Sequence, residues 1–352
     1  MKKSLLFVLC AVLMMGVTAT VTHAADAIKL KYSNYLPPTH PLTVLQGDFC
    51  KEVEKRTNGK VEITYYPGGT LTTAPKMIDG VENRVSDIGL SHIGYTRGRF
   101  PVTETLDLPM GYPSAWVGTQ VKSDFYEKFK PKEWDSVHVL FVFAPGPQIV
   151  ATKKTPIHKM EDLKGLKIRA AGRLASVVTN LGGTPVPVNM ADTYDGLQRG
   201  VVDGIVDAME TWKSFKLGEL VKYATLSHQV AMAYTFYVVM NKDKWNGLPD
   251  DLKKIMTQVA LEWKDKTGLL MNNLDGVGKE FFEQQGGKII PLSAEEGKRW
   301  VKAAEPVIDE HIKELEGKGF KRAETEAQVK FIRERVAYWT KKQDELKIPK
   351  GY

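Results

Sequence analysis

Short apolar segments of strand character alternate with segments of helical period along most of this 352-residue chain. Strands are indicated at 28–32 and 61–66, and a helix at about 42–56 separates them. The alternation returns further on, where a strand at 166–169 is followed by a helix at 174–181. Because helices that connect successive strands favour parallel pairing, this order predicts an α/β fold. The chain is also long enough for two domains, each with its own core.

The N-terminus has the three parts of a secretory signal peptide. Lys2 and Lys3 precede an apolar run at 5–17, and small residues lead up to Ala24 and Ala25. The apolar run is too short to span a membrane. We therefore expect a signal peptide over residues 1–24 and export to the periplasm, with cleavage after Ala25 as the alternative.

Charge and motif content argue against several classes of function. The 49 basic and 42 acidic residues give a net charge of +7, but they are interleaved, so we expect no nucleic-acid partner. No His-x-x-x-His or Cys-x-x-Cys pair is present, and neither a phosphate-binding loop nor a nucleophile elbow occurs. We therefore predict no metal, no cofactor and no catalytic residue, and binding without turnover. The alternative is a periplasmic enzyme acting on small carboxylic acids, although the adjacent Ser91 and His92 would point to opposite faces of a strand.

Arg169 is the strongest candidate for a binding residue. Leu166 and Ile168 alternate with Lys167 and Arg169, as in a strand with one buried face that ends at the arginine. In open α/β sheets, ligands bind beyond the carboxyl ends of the strands. A guanidinium at that position binds a carboxylate through two parallel hydrogen bonds. The sequence therefore predicts a site for an organic anion, with a surface arginine as the alternative.

Other polar and aromatic residues also follow predicted strands, and in this fold class such positions converge on one crevice. For each of them, the alternative is a loop residue that contacts solvent or caps a helix. The apolar segment 137–143 is expected to be a buried central strand, which would place the residues after it at the same crevice. These further candidates are Asn34, Tyr35, His92, Tyr95, Gln148, Asn189 and Asp207.

Several segments resemble the extracytoplasmic (DctP-type) solute receptors of tripartite ATP-independent periplasmic (TRAP) transporters. The segment 191–204, Ala-Asp-Thr-Tyr-Asp-Gly-Leu-Gln-Arg-Gly-Val-Val-Asp-Gly, is similar to the signature of that family. Segments 67–71, 163–169, 241–245 and 248–252 match in order, so the resemblance spans almost all of the mature chain.

The resemblance implies a two-lobed periplasmic-binding-protein fold. Two mixed or parallel sheets flanked by helices would be linked by crossing strands and a long helix. On this basis we expect lobe I to comprise residues 25–146 plus about 235–275, and lobe II to comprise residues 147–234 plus about 276–352.

The resemblance also implies a function. Such a receptor closes on a small organic anion, whose carboxylate would pair with Arg169, and delivers it to ion-driven TRAP permease subunits in the membrane. We expect a monomer. A ligand sensor that serves a signalling protein remains an alternative with the same fold.

One position departs from the family pattern. The family usually has an asparagine four residues after the aspartate that matches Asp203, and this chain has Asp207 there. An ionised aspartate only accepts hydrogen bonds, so it favours a ligand with an amino or hydroxyl group. We expect such a carboxylate to lie between Arg169 and Asp207, unless Asp207 turns away to pair with a lysine or with Arg173. The apolar or aromatic wall would come from Tyr95, Trp212 and Tyr234.

Overall fold

The computed structural model describes residues 26–351. The predicted signal peptide, residues 1–24, lies outside the described residues. None of the helices within this range has both the length and the apolar character needed to cross a membrane.

The first sheet has five strands in the order β2-β1-β3-β10-β4. β1 pairs in parallel with β2 and β3, whereas β10 is antiparallel to both β3 and β4. The strands alternate with helices along the chain, which explains the parallel part of the sheet. The strands are β1 (Ile28–Asn34), β2 (Val61–Tyr66), β3 (Ile88–His92), β4 (Val137–Phe143) and β10 (Phe236–Asn241).

The second sheet has six strands in the order β11-β9-β5-β8-β6-β7. β6 pairs in parallel with β7 and β8, and β5 is antiparallel to β8 and β9. The strands are β5 (Ile149–Thr152), β6 (Lys167–Arg169), β7 (Thr184–Val186), β8 (Gly204–Asp207), β9 (Tyr223–Leu226) and β11 (Lys288–Pro291).

Helices flank both sheets. Most are short, but α8 runs for 35 residues and buries Leu252, Met256, Val259 and Trp263, as its apolar spacing predicts. The helices are α1 (Pro41–Arg56), α2 (Met77–Glu82), α3 (Ala115–Phe129), α4 (Leu174–Asn180), α5 (Met190–Arg199), α6 (Glu210–Ser214), α7 (Lys242–Asn246), α8 (Asp250–Gln284), α9 (Ala294–Ala304), α10 (Pro306–Gly317) and α11 (Arg322–Glu345).

The chain crosses between the sheets after β4 and again before β10, and α8 contacts helices beside both sheets. Two mixed sheets flanked by helices and linked in this way confirm the predicted fold class. The prediction that 137–143 is a central strand is wrong: β4 lies at the edge of the first sheet and is buried because α3 and α8 pack over it.

The strands of each sheet come from the segments predicted for the corresponding lobe. The last helix, α11, comes from the segment predicted for lobe II, but it packs on α3 beside the first sheet. Arg335 on α11 forms an ion pair with Asp124 on α3 at 2.6 Å, and the rings of Trp339 and Trp116 are 5.5 Å apart. The exact division into lobes stays a prediction.

Candidate functional site

The carboxyl ends of strands from both sheets meet at a cavity of about 30 Å³. This volume suits one or two water molecules and is too small for an organic acid, so a ligand requires the cleft to widen. Six of the predicted residues line the cavity: Tyr35, His92, Tyr95, Arg169, Asp207 and Tyr234.

Arg169 ends β6 and is only 1% exposed. Its Nε donates to the carbonyl oxygen of Val188 at 3.0 Å, and its Nη1 donates to Oδ2 of Asp207 at 2.5 Å. Nη2 has no hydrogen-bond partner among residues 26–351. Burial disfavours the charged form, but Asp207 and three nearby tyrosines outweigh that effect and raise the pKa of Arg169. The guanidinium is therefore a permanent cation with one unused edge.

Asp207 ends β8 and is 4% exposed. Its Oδ1 accepts a hydrogen bond from its neighbour Ala208 N at 3.0 Å, so both carboxylate oxygens have partners. Burial raises the pKa of Asp207 to about 6, although Arg169 opposes the rise. Because Arg169 and Asp207 contact each other directly, a ligand does not lie between them in this conformation.

The suggested alternative partner of Asp207, Arg173, is engaged elsewhere. Its Nε donates to Oε2 of Glu104 at 3.0 Å, and its Nη2 donates to Oε2 of Glu314 at 2.5 Å. The alternative in which Asp207 turns away toward Arg173 is therefore wrong.

Aromatic rings form one wall of the cavity around His92. Its ring lies 3.9 Å from Tyr95, 4.7 Å from Tyr234 and 4.9 Å from Phe236, measured between centroids. Burial and the nearby Arg169 hold the pKa of His92 well below its ordinary value, so the ring is neutral. This wall offers a stacking surface and no second positive charge, and Nδ1 of His92 has no hydrogen-bond partner among the described residues.

Two tyrosines of this wall reach the backbone on the side of the second sheet. The hydroxyl of Tyr95 accepts a hydrogen bond from Met190 N at 3.3 Å. The hydroxyl of Tyr234 lies 3.2 Å from both the nitrogen and the carbonyl oxygen of Ala171. The Tyr95 contact joins the two sides of the cleft, whereas Tyr234 lies on the segment that crosses between the sheets before β10.

Asn34 does not line the cavity. Its Nδ2 donates to Oγ1 of Thr43 at 3.1 Å and to the hydroxyl of Tyr65 at 2.7 Å. Its Oδ1 accepts a hydrogen bond from Leu36 N at 3.0 Å. The side chain therefore holds the turn after β1 in place and has no group left for a ligand.

Three further predicted residues also lie outside the cavity lining. Trp212 is fully buried in the core, where its ring lies 4.7 Å from that of Phe282. Gln148 is buried and donates to the carbonyl oxygen of Gly146 at 3.2 Å. Asn189 is exposed and precedes α5, where its neighbour Met190 points into the cavity instead.

The cavity residues that the sequence prediction missed include an ionisable pair, His40 and Glu210, which face each other across the cleft. His40 Nε2 lies 3.2 Å from Oε2 of Glu210, and the two residues are 1% and 6% exposed. His40 caps α1, and Glu210 is the first residue of α6, three positions after Asp207. The available signals were a histidine at a helix start after a proline pair and a second acid beside the departure at Asp207.

A third acid lies behind this pair. Asp275 on α8 is 1% exposed, and its Oδ1 accepts a hydrogen bond from Glu210 N at 3.0 Å. Burial, together with Glu210 and Asp207, raises the pKa of Asp275 well above its ordinary value. Within residues 26–351, no three His, Cys, Asp or Glu side chains are placed to hold a metal ion together.

Comparison with known proteins identifies the family. The family model described as bacterial extracellular solute-binding protein, family 7 (DctP), matches residues 32–315. The C4-dicarboxylate-binding periplasmic protein DctP of Rhodobacter capsulatus is 25% identical over 305 residues, which cover 84% of this chain and 90% of the relative.

Solved structures agree with this match. A TRAP periplasmic solute-binding protein from Desulfovibrio salexigens is 32% identical, with a TM-score of 0.76 over 87% of this chain and 95% of that one. A marine metagenome TRAP solute-binding protein, described as specific for aromatic acid ligands, is 27% identical, with a TM-score of 0.83 over 88% and 99% of the two chains. The chain therefore belongs to the family-7 bacterial extracellular solute-binding proteins, the solute receptors of TRAP transporters.

Proposed function

We propose that this receptor captures a small monocarboxylate with an apolar or aromatic body and binds its carboxylate through Arg169. The observation that supports this most strongly is a buried guanidinium that lines the cavity and whose Nη2 has no hydrogen-bond partner among residues 26–351. A ligand carboxylate would accept a charge-assisted hydrogen bond from this donor.

The aromatic wall indicates the rest of the ligand. The rings of Tyr95, Tyr234 and Phe236 each lie within 5 Å of the His92 ring, measured between centroids. An apolar or aromatic ligand body would stack on such a surface. The marine metagenome structures at 27% identity bind aromatic acids, 3-hydroxybenzoate among them, in agreement with this assignment.

Capture would proceed by hinge closure. The lobes separate, the ligand binds, and the lobes close over it, which excludes water from the Arg169 contact. The closed form would then dock on the membrane permease subunits. The segments that cross between the sheets are the natural hinges.

We propose binding without chemical conversion. The neighbouring pair Ser91 and His92 does not form a catalytic dyad, because Oγ of Ser91 donates to the carbonyl oxygen of Ala74 at 2.9 Å and the His92 ring is enclosed by aromatic rings. We further propose that the chain is exported through its signal peptide, with cleavage after Ala24, and works in the periplasm as a monomer.

The test compares matched ligands by thermal shift and calorimetry. Benzoate and pentanoate should stabilise the protein, whereas benzamide, the neutral counterpart of benzoate, should not. Mass spectrometry should recover each ligand unchanged after incubation. Arg333→Ala, which removes an exposed arginine from α11, serves as the control for variants of Arg169. Stabilisation by benzamide equal to that by benzoate, or recovery of a converted ligand, would contradict the proposal.

A further inference from the structure

Two charged side chains that line the cavity, Arg169 and Glu210, each keep one polar atom without a hydrogen-bond partner among residues 26–351, and the two atoms have opposite character. Nη2 of Arg169 is an unused donor, as described above. Oε1 of Glu210 is an unused acceptor, since within residues 26–351 only Oε2 and the backbone of Glu210 form hydrogen bonds. The cavity therefore presents a charged donor and a charged acceptor to its ligand, beside the neutral His92, whose Nδ1 also has no hydrogen-bond partner among these residues.

His40 fixes Glu210 as an acceptor. Nδ1 of His40 accepts a hydrogen bond from Leu42 N at 3.1 Å, which assigns the ring proton to Nε2. Nε2 then donates to Oε2 of Glu210 at 3.2 Å. Because His40 lies on the side of the first sheet and Glu210 on the side of the second, this contact orients Glu210 when the cleft is closed.

The charges that line the cavity are unequal. Arg169 is the cation and is already paired with Asp207, so Glu210 adds a carboxylate that no lining cation neutralises. Asp275 lies directly behind Glu210 and supplies no compensating cation, although its raised pKa favours the neutral form. A ligand carboxylate at Arg169 makes the site more negative still, whereas a ligand that also carries an ammonium group offsets that charge.

We propose that Glu210, oriented by His40, determines specificity: it selects monocarboxylates that carry a second, hydrogen-bond-donating group, an ammonium above all, and it rejects dicarboxylates. This inference rests on the proposed function, because Arg169 must hold the first carboxylate. A donor group on the ligand would donate a hydrogen bond to Oε1 of Glu210. A second carboxylate would face Glu210 and Asp207 in a water-excluded site, where juxtaposed like charges are strongly unfavourable.

Calorimetry with two ligand series tests the proposal. The first series is 4-aminobutyrate, 4-hydroxybutyrate, pentanoate and glutarate, which differ only in the distal group. The second is 4-(aminomethyl)benzoate, 4-(hydroxymethyl)benzoate, 4-ethylbenzoate and 4-(carboxymethyl)benzoate. In the series that binds, we expect affinity to fall in that order, with the dicarboxylate about a hundredfold or more weaker than the amino compound.

Glu210→Gln provides the second measurement, because glutamine retains an acceptor for His40 and loses the charge. It should reduce the preference for the amino compound over the dicarboxylate by about tenfold or more. Glu310→Gln, an exposed position on α10, makes the same change in net charge and should leave that ratio unaltered. The order of the wild-type affinities tests the proposal even if the Glu210 variant does not fold.

The outcomes separate the two proposals. A dicarboxylate that binds the wild type within threefold of the amino compound, or a ratio that Glu210→Gln leaves unchanged, would overturn the role of Glu210 and leave Arg169 as the anchor. Failure of every carboxylate in both series to bind would overturn the proposed function and this inference with it.

Discussion

Substitution of Arg169 is the most informative perturbation of the cleft. Arg169→Ala removes one partner of an ion pair in which both side chains are more than nine-tenths buried. Loss of one partner of such a pair typically costs about 3–5 kcal/mol, because the other charge remains buried without compensation. A protein typically has a free energy of unfolding of about 5–15 kcal/mol, so the unpaired charge of Asp207 would lower stability by a measurable fraction.

The same substitution removes the anchor for the ligand. A loss of about 3–5 kcal/mol corresponds to roughly 150-fold to 4,000-fold in affinity. Nη1 of Arg169 already donates to Asp207 and Nε donates to the carbonyl oxygen of Val188, so the ligand would accept a hydrogen bond mainly from Nη2. We therefore expect a loss near the lower end, about a hundredfold. Arg169→Lys should also bind poorly, because an ammonium does not reproduce the planar fork.

A double variant separates folding from binding. Arg169→Met with Asp207→Asn removes both charges and leaves no carboxylate stranded, so urea unfolding should show most of the lost stability restored. Ligand affinity, measured by calorimetry with the tightest carboxylate of the panel, should remain low. Binding by the double variant within threefold of the wild type would refute the assignment of Arg169 as the anchor, and Arg333→Ala controls for loss of a positive charge elsewhere.

Four further outcomes follow from the geometry. Burial raises the pKa of Asp207 to about 6, and protonation of Asp207 removes an anion beside Arg169. The affinity for carboxylates, measured by calorimetry, should therefore rise as the pH falls from about 8 to about 5. Asp207→Asn should abolish that rise. Asn34→Ala should lower the free energy of unfolding by about 1–3 kcal/mol with little effect on ligand affinity, because Asn34 forms hydrogen bonds with Thr43 and with Leu36 N. A loss of ligand affinity without a loss of stability would place Asn34 in the site. Trp212→Ala should lower the free energy of unfolding, measured in urea, by about 3–5 kcal/mol, as expected of a core residue. It should leave the order of the ligands by affinity unchanged. Tyr95→Phe removes the hydroxyl that accepts a hydrogen bond from Met190 N across the cleft. It should weaken ligand binding, measured by calorimetry, by about threefold to tenfold. An unchanged affinity would show that this hydrogen bond does not contribute to closure.

The sequence predicted those parts of the fold that depend on local pattern. Alternating strand and helix periods predict the α/β class, because one face of each element is apolar. Leu252, Ile255, Met256, Val259 and Trp263 recur at three- and four-residue steps and predict a long helix that starts near residue 250. Helix α3 gave no such signal, because residues 115–122 are buried all round, polar Thr119, Gln120 and Lys122 included, so polarity there does not mark an exposed face. Similarly, 137–143 is apolar on both faces because helices cover it, and not because strands lie on both sides of it.

Some residues of the candidate site could likewise be found from their position in the sequence, and others could not. Arg169, His92 and Asp207 are at strand ends that the topology brings together, so strand position was enough to find them. Asn34 occupies an equivalent position but uses its polar atoms to hold the chain locally, a difference that sequence position does not reveal. His40 and Glu210 are 170 residues apart and meet only through the closed arrangement of the two sheets, which no local pattern encodes.

A crystal structure of the protein with a bound carboxylate from the panel tests the central claim most directly. We expect the ligand carboxylate within hydrogen-bond distance of Nη2 of Arg169, with the ligand body against the rings of His92, Tyr95 and Tyr234. A bound carboxylate whose oxygens contact other groups, while Arg169 remains paired with Asp207 alone, would contradict the account.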